Sequence, residues 1–296
     1  MDGNLRGAIL MVLAMAGFAF EDMFVKSAAR HLPVGEILIL FGLGGMLCFM
    51  VLTKRRGEPL YHPAVLSRPL LIKAAMEVMG RLGYTVALAL TPLSNASAIL
   101  QATPLVVVAG AAVIFREPVG WRRWAAIALG FAGVLIILRP GLEGFELASL
   151  WAVVGMLGFA GRDLATRAAP PVLSNVQLGI YGFLMLIPTG VILLMFTGGA
   201  VVPAPREALD LLAAVGFGVG AYYGLTAAMR MGEVGVITPF RYTRLVFALI
   251  LGVVVFAERP DALTLIGAAV IIGSGIYTLI RGRQVARAAA RARGAL

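Results

Sequence analysis

Residues 17–28 read GFAFEDMFVKSA, and residues 158–169 read GFAGRDLATRAA. Superposed, the two stretches share Gly, Phe, Ala, an aspartate and a later alanine in the same places, with Lys26 opposite Arg167. The offset is 141 residues, and it recurs well beyond this motif. GYTVA at 83–87 matches GLTAA at 224–228, and FRE at 115–117 matches FAE at 256–258. Chance coincidences do not hold one offset along most of a chain, so the sequence reads as an internal duplication. Each copy carries the same polar feature, centred on Asp22 and Asp163, inside an apolar stretch.

Those apolar stretches identify the solvent. The 296 residues are 60% hydrophobic and 14% charged, with a mean hydropathy of +0.93. Soluble domains carry about 25% charged residues, and a soluble fold of this length could not hide so much apolar surface. Crossing a bilayer takes about 20 apolar residues at a helical rise of ~1.5 Å each. Such runs lie at about 7–27, 33–52, 70–90, 95–115, 122–138, 147–166, 174–196, 209–229, 235–256 and 262–280. The reading is ten transmembrane helices, all-α, with loops too short for a soluble domain. Residues 1–140 form the first five-helix repeat, 141–282 the second, and 283–296 a basic tail. An odd number of spans per copy sends the second copy into the membrane from the other side, giving an inverted repeat.

The net charge of +10 does not read as a nucleic-acid footprint, because the basic residues punctuate apolar runs instead of sharing a solvated face. They write topology. With the N-terminus inside, fifteen Lys and Arg fall on the cytoplasmic side, among them Arg6, Lys54, Arg55, Arg56, Arg122, Arg123 and the Arg-rich tail, and five fall opposite. The positive-inside rule then puts both termini in the cytoplasm of an inner-membrane protein, with the tail near anionic lipid headgroups. The lone Cys48 has no disulfide partner and reads as a packing residue, while His31 and His62 read as solvated loop residues. Neither histidine has a second ligand at metal spacing. The sequence implies no metal, no cofactor, no nucleic acid and no catalytic constellation of an enzyme.

Inverted halves can exchange conformations around a midplane site, which is the logic of alternating access. The two copies, the Phe-x-Glu ending of each copy's fourth helix (Phe115/Glu117 and Phe256/Glu258), and the glycine spacing in each last helix (Gly130/Gly133 and Gly273/Gly275) resemble the drug/metabolite transporter superfamily, EamA-type. Within it, the chain is most similar to the YddG-type aromatic amino-acid exporters. The resemblance implies a bundle around a central cavity and export of amino acids and related metabolites, with one chain sufficient as a monomer. Two rival readings are a carrier of nucleotide-sugar or lipid-linked sugar from the same superfamily and an integral-membrane enzyme acting on lipids.

Ionisable residues at membrane depth cost about 2.5–3.5 kcal/mol on insertion scales and therefore face protein or water. On the third span, Glu77, Arg81 and Tyr84 share one helical face. On the ninth, Pro239 breaks the ladder beside Arg241, Tyr242 and Arg244, and on the fourth Pro104 follows Gln101. For a free amino acid, Arg241 or Arg244 is expected to grip the carboxylate, with Glu77 or Asp163 near the ammonium. Tyr84, Tyr222, Tyr223 and Tyr242 are expected to offer ring faces, and Arg81 and Gln101 complete the expected substrate-binding set. Asp22 and Asp163 are read as gate or helix-pairing groups together with Arg162, with Lys26 and Arg167 as partners, while Glu21 reads as an interfacial carboxylate in contact with water. Gly216, Gly220 and Gly224 read as a helix-packing face.

Overall fold

A computed structural model of the chain describes residues 3–90, 99–117, 119–138, 150–256, 262–263, 265–274, 276–277 and 280. Among these the regular structure is entirely helical. The helices are α1 (Gly3–Ala28), α2 (Val34–Arg55), α3 (Arg68–Leu90), α4 (Thr103–Ile114), α5 (Trp121–Leu138), α6 (Leu150–Arg167), α7 (Asn175–Leu184), α8 (Leu186–Thr197), α9 (Pro205–Arg230), α10 (Val234–Ile237) and α11 (Thr243–Phe256). A further apolar helix, α12 (Leu265–Ser274), follows. The remaining boundaries expected from the sequence, including Glu258 and the basic tail, lie outside the described residues.

Helix ends follow local chemistry. α2 begins after Pro33 and stops at Gly57, whose φ of +69° only glycine adopts without strain. The Gly57 amide then bonds back to Lys54 and the Glu58 amide to Thr53, closing the last carbonyls in a Schellman motif. His62 accepts from the Ala64 amide and caps a 3-10 turn at Pro63–Leu66. Ser174 and Gln177 form a reciprocal capping box at the start of α7.

Proline divides two of the expected spans. The seventh breaks at Met185 between α7 and α8, because Pro188 has no N–H for the Leu184 carbonyl. The ninth opens as α10, tightens to a 3-10 turn over Thr238–Tyr242 at Pro239, and resumes as α11. α4 likewise starts at Thr103, with Pro104 in its first turn.

Among the described residues, four segments are both long and apolar enough to cross a membrane: Gly3–Val25, Val34–Arg55, Asn175–Phe196 and Pro205–Arg230. Shorter apolar helices at Thr103–Ile114, Trp124–Ile136 and Leu265–Ser274 accompany them. The outward faces carry exposed Leu13, Leu47, Val51, Ile72, Val113, Phe196 and Val254, an apolar surface far beyond what a soluble monomer shows. Cys48 is on this exposed surface, not in the packed interior expected of it.

The two most extensive helix contacts are α3 along α6 and α1 along α9. Both depend on small residues, and their contacts mirror each other. A β-carbon on Gly158 would strike the Gly80 backbone, and one on Gly17 would stand 3.0 Å from the Ala221 methyl. One on Gly83 would meet the Gly155 nitrogen at 2.6 Å and the Trp151 carbonyl at 2.9 Å. One on Gly224 would meet the Ala14 methyl at 3.2 Å and the Leu10 carbonyl at 3.3 Å. Each residue of one crossing is the counterpart, at the sequence offset, of a residue of the other. Gly224 therefore packs as expected, but Gly216 and Gly220 do not, since open space surrounds the place of a β-carbon at both. Helix rotation, which spacing alone leaves undefined, decides which glycines meet a neighbour.

The interior between these crossings is aromatic. Phe41, Phe49, Phe183 and Tyr222 pack with ring centroids 5.1–6.3 Å apart and join α2, α7 and α9.

Candidate functional site: a charge network between helices

Charged side chains meet where α3, α6, α9 and the Thr238–Tyr242 turn converge. Glu77 on α3 is 1% exposed. It accepts from Arg162 of α6 at 3.2 Å and from the Tyr222 hydroxyl of α9 at 3.0 Å. Lys73, one turn earlier on α3, is also buried, donates to the Tyr222 hydroxyl at 2.7 Å and lies 3.8 Å from Glu77. Arg162 turns its Nε to Asp163 at 2.9 Å and lies over the Phe159 ring. Asp163 also receives Arg241 from the 3-10 turn. The chain is Lys73–Tyr222–Glu77–Arg162–Asp163–Arg241, and every link except that between the neighbours Arg162 and Asp163 joins two different elements.

A second group sits between α1 and α11. Arg244 donates to Asp22 through Nε at 2.9 Å and lies over the Phe18 ring at 5.2 Å. Glu21, the neighbour of Asp22, is buried at 4% exposed. The expectation of a water-facing Glu21 is thus reversed. α1 turns Glu21 inward toward α9 and leaves Asp22 as the exposed member of the pair.

Several expected pairings fall differently. Arg167 pairs with Glu117, at 3.4 Å, and not with Asp163. Glu117, from the Phe-x-Glu motif, also accepts the Val234 amide at 3.0 Å and so ties the ends of α4 and α6 to the start of α10. The Lys26 side chain lies outside what the structure describes. Arg241 and Arg244, expected to await a carboxylate, each already hold an aspartate. Tyr222 has its hydroxyl engaged by Lys73 and Glu77 and its ring among phenylalanines, so it offers no free face. Tyr242 is fully buried among Val134 and Ile271 and likewise offers no free face. Tyr223 is half-buried beneath Arg56.

Arg81 and Tyr84 share a face of α3, and both reach Phe159 of α6. Gln101 is half-buried at the turn preceding α4. Lys73 was not singled out by the sequence reading, although its spacing of four from Glu77 is the usual signal of an intrahelical pair.

Counted together, Lys73, Arg81, Arg162, Arg241 and Arg244 exceed Glu21, Asp22, Glu77 and Asp163 by one positive charge. No group of acids, histidines and cysteines among the described residues could hold a metal ion.

Apolar helices that bury paired charges beside two mirrored crossings fit a membrane transporter, and the family match gives that class. The chain belongs to the EamA-like transporter family, whose sequence profile matches residues 5–139 and again 146–280, the offset read between the two halves. A riboflavin transporter from Rhizobium johnstonii is 28% identical over 92% of this chain and 90% of its own. The pseudopaline exporter of Pseudomonas aeruginosa is 28% identical over 90% and 93%. An S-adenosylmethionine uptake transporter from Rickettsia prowazekii is 24% identical over 93% and 92%. A protein of known crystal structure, 20% identical, superposes with a TM-score of 0.77 over 95% of this chain and 98% of its own, a likeness of fold. The relatives are named for small metabolites, not for aromatic amino acids.

Proposed function

We propose that this transporter exports small zwitterionic or amphipathic metabolites, amino acids with ring side chains foremost, across the inner membrane by alternating access. The observation that carries the reading is the buried charge network, which is nearly neutral as a whole and built from helices of both halves. A zwitterion adds no net charge to such a site, so it can enter without leaving a buried charge uncompensated. A nucleotide-sugar, with its anionic phosphates, would need several unpaired cations, and nearly all the cations here have acids beside them. The relatives' names fit a small substrate, and S-adenosylmethionine itself ends in an amino-acid group. Their names include both uptake and export, and export is inferred here from the likeness to the aromatic amino-acid exporters.

In this reading the chain crosses the membrane ten times as two inverted five-helix units, both termini are cytoplasmic, and one copy suffices. The doubled profile match and the mirrored glycine crossings support the duplication. Arg241 and Arg244 act by changing partners. Asp163 and Asp22 hold them in the present state, and their release lets the ninth-span turn move against α6 and α1. Counterflow in proteoliposomes against a panel of amino acids tests the substrate class. Aromatic amino acids are expected to accelerate exchange, and no response to any amino acid would sink the reading. Arg241→Ala and Arg244→Ala are expected to lower the maximal rate by roughly tenfold or more, the scale of one charge-assisted contact. Unchanged transport in both, at normal expression, would remove the partner-exchange role.

A further inference from the structure

The two mirrored crossings differ in one respect, and beside the difference two charged groups each keep a buried polar atom without a hydrogen bond. At the sequence offset, Glu21 corresponds to Arg162, Gly218 to Glu77, and Arg81 to Tyr222. In the α3–α6 crossing Arg162 bonds Glu77, which also accepts the Tyr222 hydroxyl arriving from α9. In the α1–α9 crossing Glu21 faces Gly218, which has no side chain to offer. A β-carbon there would lie 3.3 Å from Glu21 Oε2. That oxygen is buried without a hydrogen-bond partner, and so is Nε of Arg81. A buried carboxylate oxygen left unpaired is costly and rare in a folded protein.

The surroundings of Glu21 narrow what could complete it. The charges close enough to act on it are Arg81 of α3, Arg162 of α6, Arg244 of α11 and Asp22 on its own helix. Arg162 and Arg244 are already matched by Glu77, Asp163 and Asp22. Phe41 of α2 and Gly218 of α9 contribute no charge. The groups that remain are one acid and one base.

We propose that Glu21 and Arg81 are the resting substrate site, with Glu21 binding the ammonium of a zwitterion and Arg81 its carboxylate. The inference rests on the zwitterion reading above and gives the substrate a place distinct from the paired Arg241 and Arg244. Phe159, over which Arg81 lies at 5.9 Å, and Tyr84, edge-on to the same ring, stand beside the carboxylate end.

The test measures binding of phenylalanine, of phenethylamine, which lacks the carboxylate, and of 3-phenylpropionate, which lacks the ammonium, to the purified full chain. Glu21→Gln is expected to weaken phenylalanine and phenethylamine by at least about tenfold and to leave 3-phenylpropionate unchanged. Arg81→Gln is expected to do the converse. Ligand-free Glu21→Gln should melt no lower than the parent chain, because the change removes the charge from a buried carboxylate whose Oε2 has no hydrogen bond, whereas a structural role for Glu21 would lower its melting temperature. If both analogues bind with these dependences but no amino acid moves in counterflow, the site stands and the transport reading falls. If phenylalanine moves but Glu21→Gln weakens all three ligands alike, or none, the site falls and the transport reading stands. Failure of the parent chain to bind any of the three overturns both.

Discussion

Removing the Glu77 carboxylate would strand donors from three helices at once, because Lys73, Arg162 and Tyr222 all depend on it. With water excluded, Arg162 would keep only Asp163 and Lys73 only a hydroxyl. Breaking a buried pair by deleting one partner costs about 3–5 kcal/mol, so Glu77→Ala should lower the melting temperature in detergent sharply. Asp22→Ala serves as the contrast. Its pair with Arg244 is 55% and 34% exposed at the two side chains, and exposed pairs contribute about 0–1 kcal/mol. That variant should melt close to the parent chain, so any loss of transport would belong to the cycle and not to folding. Equal losses of stability in the two variants would show that burial does not grade these pairs as argued. The ionisable residues themselves were legible in the sequence, since each interrupts an apolar run. Their partners were not. Spacing put Arg81 on the same helical face as Glu77, but the fold gives Glu77 Lys73 along its own helix and Arg162 from the facing one, which brings a guanidinium to bonding distance.

Helices pack here through glycine, and position along a helix does not reveal which glycines matter. Gly155 and Gly158 let α6 lie against the α3 backbone, and a β-carbon at Gly155 would stand 2.8 Å from the Tyr84 nitrogen. Leucine at Gly158 has nowhere to go without separating the helices. Overpacking of this kind costs typically about 1–3 kcal/mol, and more when backbone stands in the way. Gly158→Leu should therefore reduce folded yield and melting temperature, whereas Gly216→Ala and Gly220→Ala, with open space at both positions, should be neutral or slightly stabilising, since alanine is the better helix former. A tolerated Gly158→Leu would disprove the close crossing. The GFA repeat already held this information, because Gly17 and Gly158 occupy matched crossings. The GxxxG-like spacing on α9 pointed partly to the wrong glycines, for only Gly224 of its three faces a helix. The ninth-span break was readable from Pro239 alone, as a missing amide is a local fact; the break at Met185 had an equally local cause in Pro188.

At the scale of the whole chain, the duplicated contacts imply an arrangement that has a direct geometric consequence. If five spans separate the copies, matched residues at the ends of α1 and α6 face opposite sides of the membrane. Arg30, just beyond α1, and Pro171, just beyond α6, are such a matched pair, and Arg30, Pro171 and the adjacent Val172 are all exposed. Cys48 is the one cysteine in the chain, so a Cys48→Ser background carries no competing thiol. In that background Arg30→Cys should react with a membrane-impermeant maleimide added to intact cells, and Val172→Cys should react only after the membrane is opened. Arg56→Cys, exposed just beyond α2, should behave like Val172→Cys, because one further crossing returns the chain to the cytoplasm. The charge distribution independently demands the same result, since Lys54, Arg55 and Arg56 cluster there while Arg30 stands on the sparse side. Labelling of Arg30→Cys and Val172→Cys from the same side would mean that the halves are parallel. The mirrored crossings could then no longer open a path alternately at the two faces.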